Sequence, residues 1–490
     1  MTAPEVVGPV PEASLGTVAA APGSLLSAIA EDPDALVYFL LNVGDGDTQL
    51  LLLPPDSNDH VRRLVIVDVA TPGKLPALLD ALHAAGLIQT PGTAGQIRLL
   101  VATHPHFDHI GGLSDLLKRY NGPSGCIDQF WEPGYIFTTP SFHNLMVALE
   151  SSPWIRRLQP TAGTRLTLDW VRFTVLGPGI GLRNRFDTYG VGINDSSITI
   201  MVDYPASHLY AQPSEGSRKN RRAAPQPGRR LLLGADAQFT SWAQTTVDFP
   251  ALQQSNNREL ARELRAARGK DYLTADLFKL SHHASKHGIN LELLERVSAP
   301  IALVSSVAGG GKYGFPHALA MDSAREARQA TTTKGLARDS DQQLGIHVTG
   351  SYLDSGAPAG SIAAVISRVS GRPIRLFRMG DEPRSPVDLT AAREVLSVKS
   401  GGAKPNGAKP GGATSGGAKP AGAKPGGARS GGAKTGGSSR VFAECCGQRP
   451  NTSRVWLTSV YPAAAATRSA QASTSGPLTS TLRPHTRQTR

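Results

Sequence analysis

Residues 103–112 read Thr-His-Pro-His-Phe-Asp-His-Ile-Gly-Gly, and this decapeptide constrains the chain more than any other segment. It places His104, His106, Asp108 and His109 within six residues. The run before it, 97–102, is apolar apart from Arg98 and predicts a buried strand. The four donors therefore sit on the loop leaving a strand, where a scaffold holds side chains rigidly. Gly111 and Gly112 follow, and the apolar positions of 113–117 predict a helix just behind. A single loop histidine is ordinarily solvated or hydrogen-bonded. Four donors this close are not accounted for that way. Neutral imidazoles and a carboxylate suit zinc or a similar borderline divalent ion. His104 and His106 alternate and can face one ion, while Asp108 and His109 turn toward a second.

The pattern His-x-His-x-Asp-His after a buried strand resembles the metallo-β-lactamase fold superfamily. Further segments carry the likeness in the same order. The runs 37–47, 49–53 and 64–68 resemble the family's opening strands, with Asp68 at the place of a structural aspartate behind the ligands. Arg230-Leu-Leu-Leu-Gly-Ala-Asp236 resembles the strand that ends in the metal-bridging aspartate. Phe278-Lys-Leu-Ser-His-His-Ala-Ser-Lys286 resembles the strand and loop that carry the last histidine ligand. Within the superfamily, the chain is most similar to the hydrolase domain of competence-type DNA-uptake channel proteins and their stand-alone relatives. Val43-Gly-Asp-Gly-Asp47, Asn194-Asp-Ser-Ser-Ile-Thr-Ile200, His282-His-Ala-Ser-Lys286 and Tyr313-Gly-Phe-Pro-His317 carry that likeness. The chain departs from it at His106, where many of those proteins have Asp, and it has no counterpart of the channel's membrane-spanning part.

The resemblance implies an α/β fold, a four-layer αββα sandwich with two mixed β-sheets and the metals at one end. It implies two divalent ions, Zn2+ in the first place with Mn2+ or Fe as alternatives, and a metal-bound hydroxide as nucleophile. His104 and His106 are assigned to one ion, Asp108 and His109 to the other, and Asp236 to the bridge. His282 is expected to complete the second site, with His283 as the alternative. The family usually supplies a third histidine to the first ion just before the strand that precedes the bridging aspartate. Here Asn194 and Asp195 stand there, and either is a candidate ligand. His143, in an expected helix over 142–149, is a weaker one. His317 is a candidate general acid or substrate contact, and Lys286 a candidate contact for an anionic substrate. The expected reaction is hydrolysis of phosphodiesters, nucleic acid among them. The alternatives are a lactone, thioester or small-ester hydrolase, and a nucleic-acid-binding protein on a degenerate metal site. A β-lactamase acting outside the cell is least expected, because no export signal is evident.

Composition divides the 490 residues unevenly. Residues 1–34 are rich in Ala, Pro and Gly and read as a mobile arm without the features of a signal peptide. Residues 35–380 alternate strand and helix patterns and form the expected hydrolase domain. Helices are expected over 75–85, 113–120, 258–268 and 291–297, and strands over 197–204, 230–233, 301–307, 361–369 and 374–378. The Pro-, Ser- and Arg-rich stretch 205–229 reads as a flexible insertion between two strands. Residues 381–399 read as a linker. From 400 to 490 the Gly-Ala-Lys-Pro repeats and the Ser/Thr/Arg-rich remainder predict disorder. From Lys399 onward there are 14 Lys/Arg and one acid, Glu444, so residues 1–398 carry a net charge of only −1 against +12 for the whole chain. The basic excess belongs to the tail, which could bind nucleic acid non-specifically through phosphate contacts or serve only as a solubilising extension. Cys126, Cys445 and Cys446 give no disulfide framework. No run approaches the ~18 apolar residues of a membrane span. A cytoplasmic location is the expectation.

Overall fold

The computed structural model describes residues 23–120, 122, 125–183, 192–206, 228–249, 271–307, 313–331, 341–350, 359–369 and 371–398. The expected helix over 258–268 and the tail over 400–490 lie outside the described residues, as does most of the 205–229 insertion.

Among the described residues, sixteen strands form two sheets. They are β1 (Leu36–Leu40), β2 (Thr48–Pro55), β3 (Arg62–Val69), β4 (Ile97–Val101), β5 (Gln129–Trp131), β6 (Arg156–Leu158), β7 (Arg165–Leu168), β8 (Val171–Gly177), β9 (Thr199–Tyr204), β10 (Arg229–Leu233), β11 (Leu277–Lys279), β12 (Ile301–Val304), β13 (Ile346–Val348), β14 (Ile362–Ile366), β15 (Ile374–Arg378) and β16 (Arg393–Val398). The first sheet runs β16-β15-β14-β1-β2-β3-β4-β5-β6 and the second β13-β12-β11-β10-β9-β8-β7. Each is antiparallel on one side and parallel on the other. The change falls between the β2/β3 and β3/β4 pairings in the first sheet. In the second it falls between β9/β10 and β10/β11.

Both faces of the central strands are covered, which is why they read as unbroken apolar runs. Tyr38, Leu51, Val65 and Leu99 point between the sheets and meet Phe173, Ile200, Leu231 and Leu303. Their neighbours Phe39, Leu52, Ile66 and Leu100 point outward under the helices Leu25–Glu31, Lys74–Ala84, Leu113–Tyr120 and Pro140–Glu150. On the far side Met201, Leu232 and Phe278 pack under Phe239–Asp248, Leu291–Val297 and Ala318–Thr331. This is the αββα sandwich with two mixed sheets that the sequence predicts.

Two expectations need correction. The arm expected over 1–34 contains a packed helix. Ser24 Oγ accepts from Ser27 N–H and caps it, and Leu25, Ala28 and Ile29 are buried at helical spacing. The linker expected over 381–399 belongs to the domain. β16 pairs with β15, and the Asp381 carboxylate accepts from the Ser361 N–H and hydroxyl, each at 2.7 Å, while pairing with buried Lys74. The sequence reading also passed over β5 to β8 and the helices Phe239–Asp248 and Ala318–Thr331, whose patterns are short or polar. The 205–229 insertion does lie between hairpin partners, with Arg229 opposite Tyr204.

Between the sheets, on β13 and β15, lie two polar side chains without hydrogen-bond partners among the described residues. Arg378 is fully buried and none of its guanidinium nitrogens makes a hydrogen bond; burial pulls its pKa down to about 10. His347 is equally buried with both ring nitrogens unpaired. Burial first, and Arg378 second, push its pKa down from 6.5 to about 3. Below pH 6.5 the unfolded chain takes up a proton that folded His347 refuses, so stability falls as pH drops from 6.5 toward 3. Arg378→Met should raise stability by about 1–4 kcal/mol, taking the range for buried ion pairs replaced by packed apolar side chains. His347→Leu should flatten the acid side of the stability curve. Urea melts at neutral pH and at about pH 4.5 check both. A lower midpoint for Arg378→Met would show that the guanidinium has a partner in solution.

Candidate metal centre

The strands on the parallel side of each sheet end at the same edge of the sandwich, where loops at strand carboxyl ends build sites in α/β folds. β3 ends beside Asp68, which is fully buried and has φ 58°. Its Oδ1 accepts from Thr103 N–H at 2.7 Å, and its Oδ2 from the Thr103 hydroxyl at 2.7 Å. The same Oδ2 lies 2.7 Å from His109 Nδ1. That contact fixes the ring and turns His109 Nε2 toward the cluster. His106 precedes the one-turn helix Phe107–Ile110. Gly112 is required at the turn after it, since a Cβ there would stand 2.6 Å from the Thr71 carbonyl carbon.

The second sheet brings the remaining donors. β10 leads through Gly234 and Ala235 to Asp236, and the Ala235 carbonyl accepts from His282 N–H at 2.8 Å. His282, His283 and Ala284 follow β11 with positive φ of 50°, 51° and 59°. His283 Nδ1 lies 2.8 Å from the Ser305 carbonyl at the end of β12, so its Nδ1–H donates there and Nε2 faces the cluster.

Two donor groups result. His104, His106 and Asp236 bring ligand atoms within 4.8 Å of one another, and so do Asp108, His109, Asp236 and His283. Asp236 is common to both. Its Oδ1 is 3.2 Å from His109 Nε2 and 3.6 Å from His283 Nε2. Its Oδ2 is 3.6 Å from His104 Nε2 and 3.7 Å from His282 Nε2. His283 Nε2 is also 3.6 Å from Asp108 Oδ2, and His104 Nε2 is 3.1 Å from His106 Nδ1. A third group, Asp47, Asp68 and His109, is otherwise engaged: Asp47 is in a buried ion pair with Lys279, and Asp68 is held as above.

The residues fit divalent cations. His109 Nε2, His283 Nε2 and Asp236 Oδ1 are buried, converge, and make no hydrogen bond within the protein. Leaving one such atom unpaired costs about 1–3 kcal/mol. The far nitrogens of both rings are anchored, and the near ones are left in an arrangement that a cation would satisfy.

Electrostatics divide the donors. Burial alone would raise Asp236, but His109, His283 and His104 outweigh it and hold its pKa well below the carboxylate range. Burial likewise opposes ionisation of Asp108, and the neighbouring His283 and His109 override it. Burial would lower His109, and the Asp236 and Asp68 carboxylates instead hold it well above 6.5. His283 is raised against burial by Asp236 and Asp108. His104 goes the other way, held well below by burial and then by His109.

The expected donors His104, His106, Asp108, His109 and Asp236 are thus brought together. His283 joins Asp108 and His109 where His282 was expected, because the Ser305 carbonyl turns its ring inward. Asn194 is close, its Nδ2 3.4 Å from His282 Nε2. Asp195 is directed elsewhere and accepts from Ser241 N–H at 3.1 Å near the start of the helix Phe239–Asp248. His317 Nδ1 accepts from Leu319 N–H at 3.2 Å at the head of its helix. Lys286 and His143 are exposed. His143 lines a cavity of about 770 Å³ together with Tyr135, Phe137, Met146, Arg157 and Gln159. The Phe137 ring lies 6.0 Å from that of His106, so this cavity opens beside the centre. The sequence reading missed Gln238, Ser305 and the Asp47–Lys279 pair. Lys279 gave a signal, a lone charge in an apolar strand that needs a buried partner.

Residues 59–134 match the family model described as the metallo-beta-lactamase superfamily, a span holding Asp68 and the 104–109 cluster. Among solved structures the chain is similar to the metallo-beta-lactamase fold protein YhfI from Bacillus subtilis, at 10% identity, covering 64% of this chain and 96% of that one with a TM-score of 0.33. It is similar to a metallo-beta-lactamase from Cronobacter sakazakii at 13% identity, covering 61% and 93%, TM-score 0.26. It is also similar to a long form RNase Z from yeast at 10% identity, covering 56% and 38%, TM-score 0.29. Likenesses at these scores carry no argument about activity. No curated protein matches the chain. From its layers, its sheet order and the family match, the described domain has the metallo-β-lactamase fold. No helix among the described residues is long and apolar enough to cross a membrane.

Two outcomes follow from this geometry. Asp68→Ala should weaken metal binding about 10–100-fold, as loss of an orienting carboxylate does, measured by competition with a chelator. Unchanged affinity would remove Asp68 from that role. Because nearby carboxylates, Asp236 foremost, raise the affinity of His109 and His283 for protons in the metal-free centre, metal uptake should release protons and strengthen as pH rises. Calorimetry in two buffers of different ionisation enthalpy reads that release directly.

Proposed function

We propose that the chain is a metal-dependent hydrolase whose preferred substrates are phosphodiesters, nucleic acid among them. The observation that carries this reading is the convergence of three buried, unpaired donor atoms, on His109, His283 and Asp236, beside a second donor group that shares Asp236. His104, His106 and Asp236 would hold one divalent ion, and Asp108, His109, His283 and Asp236 another, with Zn2+ the best match to this donor set. When bound, such ions lower the pKa of water to about 7 and polarise the bond to be cleaved.

The protein's own part is positional. Asp236 keeps its carboxylate ionised between the two groups and offers one oxygen to each. Asp68 and the Ser305 carbonyl hold His109 and His283 in the tautomer that leaves Nε2 free. Phe315 lies 5.3 and 5.6 Å from the rings of His282 and His283 and covers that side.

The phosphodiester reading is supported by the likeness of four segments to competence-type hydrolase domains. It is also supported by the basic tail, which would draw a polyanion toward a nearly neutral body. One observation favours a second reading. The cavity beside Phe137 has an apolar part, formed by Ile136, Phe137, Phe142 and Met146, next to polar His143, Arg157 and Gln159, and that part fits the apolar arm of a lactone, thioester or small ester.

The test is hydrolysis of bis(p-nitrophenyl) phosphate beside a simple lactone and a thioester, with metal-loaded wild type and an Asp108→Ala, His109→Ala control. Diester turnover that disappears in the control is the expected result. Turnover of carboxylic esters alone would establish the second reading. No turnover, with little bound metal, would make this a binding protein on a hydrolase fold. Deleting residues 399–490 should leave small-diester turnover intact and abolish salt-sensitive nucleic-acid affinity.

A further inference from the structure

We infer that His282 supplies the third protein nitrogen of the first metal position, so that one turn hands adjacent histidines to the two ions. The inference rests on the dinuclear reading above and adds a ligand that neither the sequence nor the donor groups assign to that position. His104, His106 and Asp236 leave the first group one donor poorer than the second, which has Asp108, His109, His283 and Asp236. Asn194, a candidate from the sequence, has no imidazole. The structure puts His282 against it, with His282 Nε2 3.4 Å from Asn194 Nδ2.

Three features place His282 on the first side. The Asp236 carboxylate divides its oxygens by position. Oδ1 faces His109 and His283, and Oδ2 faces His104 at 3.6 Å and His282 at 3.7 Å. The backbone is the second feature. Successive left-handed residues, φ 50° and ψ 48° at His282 and φ 51° and ψ 31° at His283, send two neighbouring rings to one cluster. Their planes lie 71° apart with centroids separated by 6.3 Å, so each addresses a different oxygen of Asp236. Three left-handed non-glycine residues in a row are costly and persist where the surroundings require them.

The third feature is hydrogen bonding. His282 has an amide nitrogen against each of its own, Gln238 Nε2 at 3.1 Å from Nδ1 and Asn194 Nδ2 at 3.4 Å from Nε2. A neutral imidazole has one lone pair and cannot accept from both. With Gln238 presenting Oε1 instead, Nδ1–H donates to it and Nε2 keeps its lone pair toward Asp236 Oδ2. Gln238 then does for His282 what Ser305 does for His283 and Asp68 for His109. Asn194 Nδ2–H points at that lone pair from where a cation would approach, and Asn194 Oδ1 is buried without a partner. His282 stands outside the set of mutually close donors formed by His104, His106 and Asp236, so coordination requires its ring to turn toward them.

The experiment uses the full chain, stripped with chelator and titrated with Co2+ and Zn2+. It reads bound metal by mass spectrometry and the visible d–d spectrum of the cobalt form. Wild type should bind two ions. His282→Ala, and His282→Gly, which tolerates the left-handed backbone, should each keep one ion and lose the wild-type cobalt spectrum. Asn194→Ala should keep both ions and that spectrum. Asn194→His in the His282→Gly background should recover the second ion. Two ions and an unchanged spectrum in both His282 variants would overturn the inference while leaving the dinuclear reading intact. Loss of one ion in Asn194→Ala alone would assign the ligand to Asn194 and overturn it as well. A wild type that binds a single ion would bring down the dinuclear reading itself, a different failure from either.

Discussion

Asp68 and the Asp47–Lys279 pair join the two sheets to the donor cluster, and the remaining geometry depends on them. Asp68 accepts from the Thr103 N–H and hydroxyl and contacts His109, so the end of β3, the end of β4 and one imidazole are held by one buried carboxylate. Lys279, at the end of β11, reaches across the sandwich to Asp47 just before β2. Both partners are fully buried. Removing one member of such a pair would leave an uncompensated interior charge, at a cost of about 3–5 kcal/mol. The pair therefore ties the end of the second sheet to the first where donors from both must meet. Asp47 N–H also donates to the Asp108 carbonyl at 3.0 Å, and Ser305, which orients His283, donates its hydroxyl to the Gly46 carbonyl. The same short segment before β2 thus touches supports of both donor groups.

The centre lies where it does because of chain direction. Each sheet changes from antiparallel to parallel pairing at one strand, β3 in the first and β10 in the second. β3, β4, β10, β11 and β12 send Asp68, the 104–109 cluster, Asp236, the paired histidines and Ser305 to one end. No single loop could supply these donors. His104 and Asp236 are 132 positions apart in sequence and meet only because the sheets pack face to face.

Much of this was legible beforehand. The 103–112 peptide is local, and its pattern names its own chemistry. The Leu-rich run before Asp236 and the Phe-Lys-Leu run before His282 give strand ends, and strand ends give positions. The choice between His282 and His283 was not legible. It turns on the left-handed backbone of both residues and on the Ser305 carbonyl, 22 residues downstream. Asp195 looked as eligible as Asn194 until its carboxylate proved to be engaged by Ser241. The arm and linker were misread for a common reason. The helix Leu25–Glu31 and strand β16 are short and of mixed composition, and their stability comes from packing on a body that composition cannot see.

Charge bears on what such a centre would attract. Neutral imidazoles bring no charge, so Asp108 and Asp236 are the anionic donors of the two groups. Asp47 is already neutralised by Lys279, which leaves Asp68, behind His109, as the remaining nearby carboxylate. Against two divalent cations these three acids fall one charge short, so the centre would be electropositive before a hydroxide binds, within a body whose net charge is close to zero. A cationic centre walled by low-dielectric protein focuses its field outward through the open side. On the hydrolase reading proposed above, that field would favour electrophiles that arrive already negative. A phosphodiester meets this requirement and a neutral lactone does not. The apolar part of the cavity beside Phe137 pulls the other way, toward substrates with an uncharged arm. A substrate satisfying both would carry its anionic group at the donors and its apolar part against Phe137 and Met146, which a nucleotide, with its phosphate and flat base, can do.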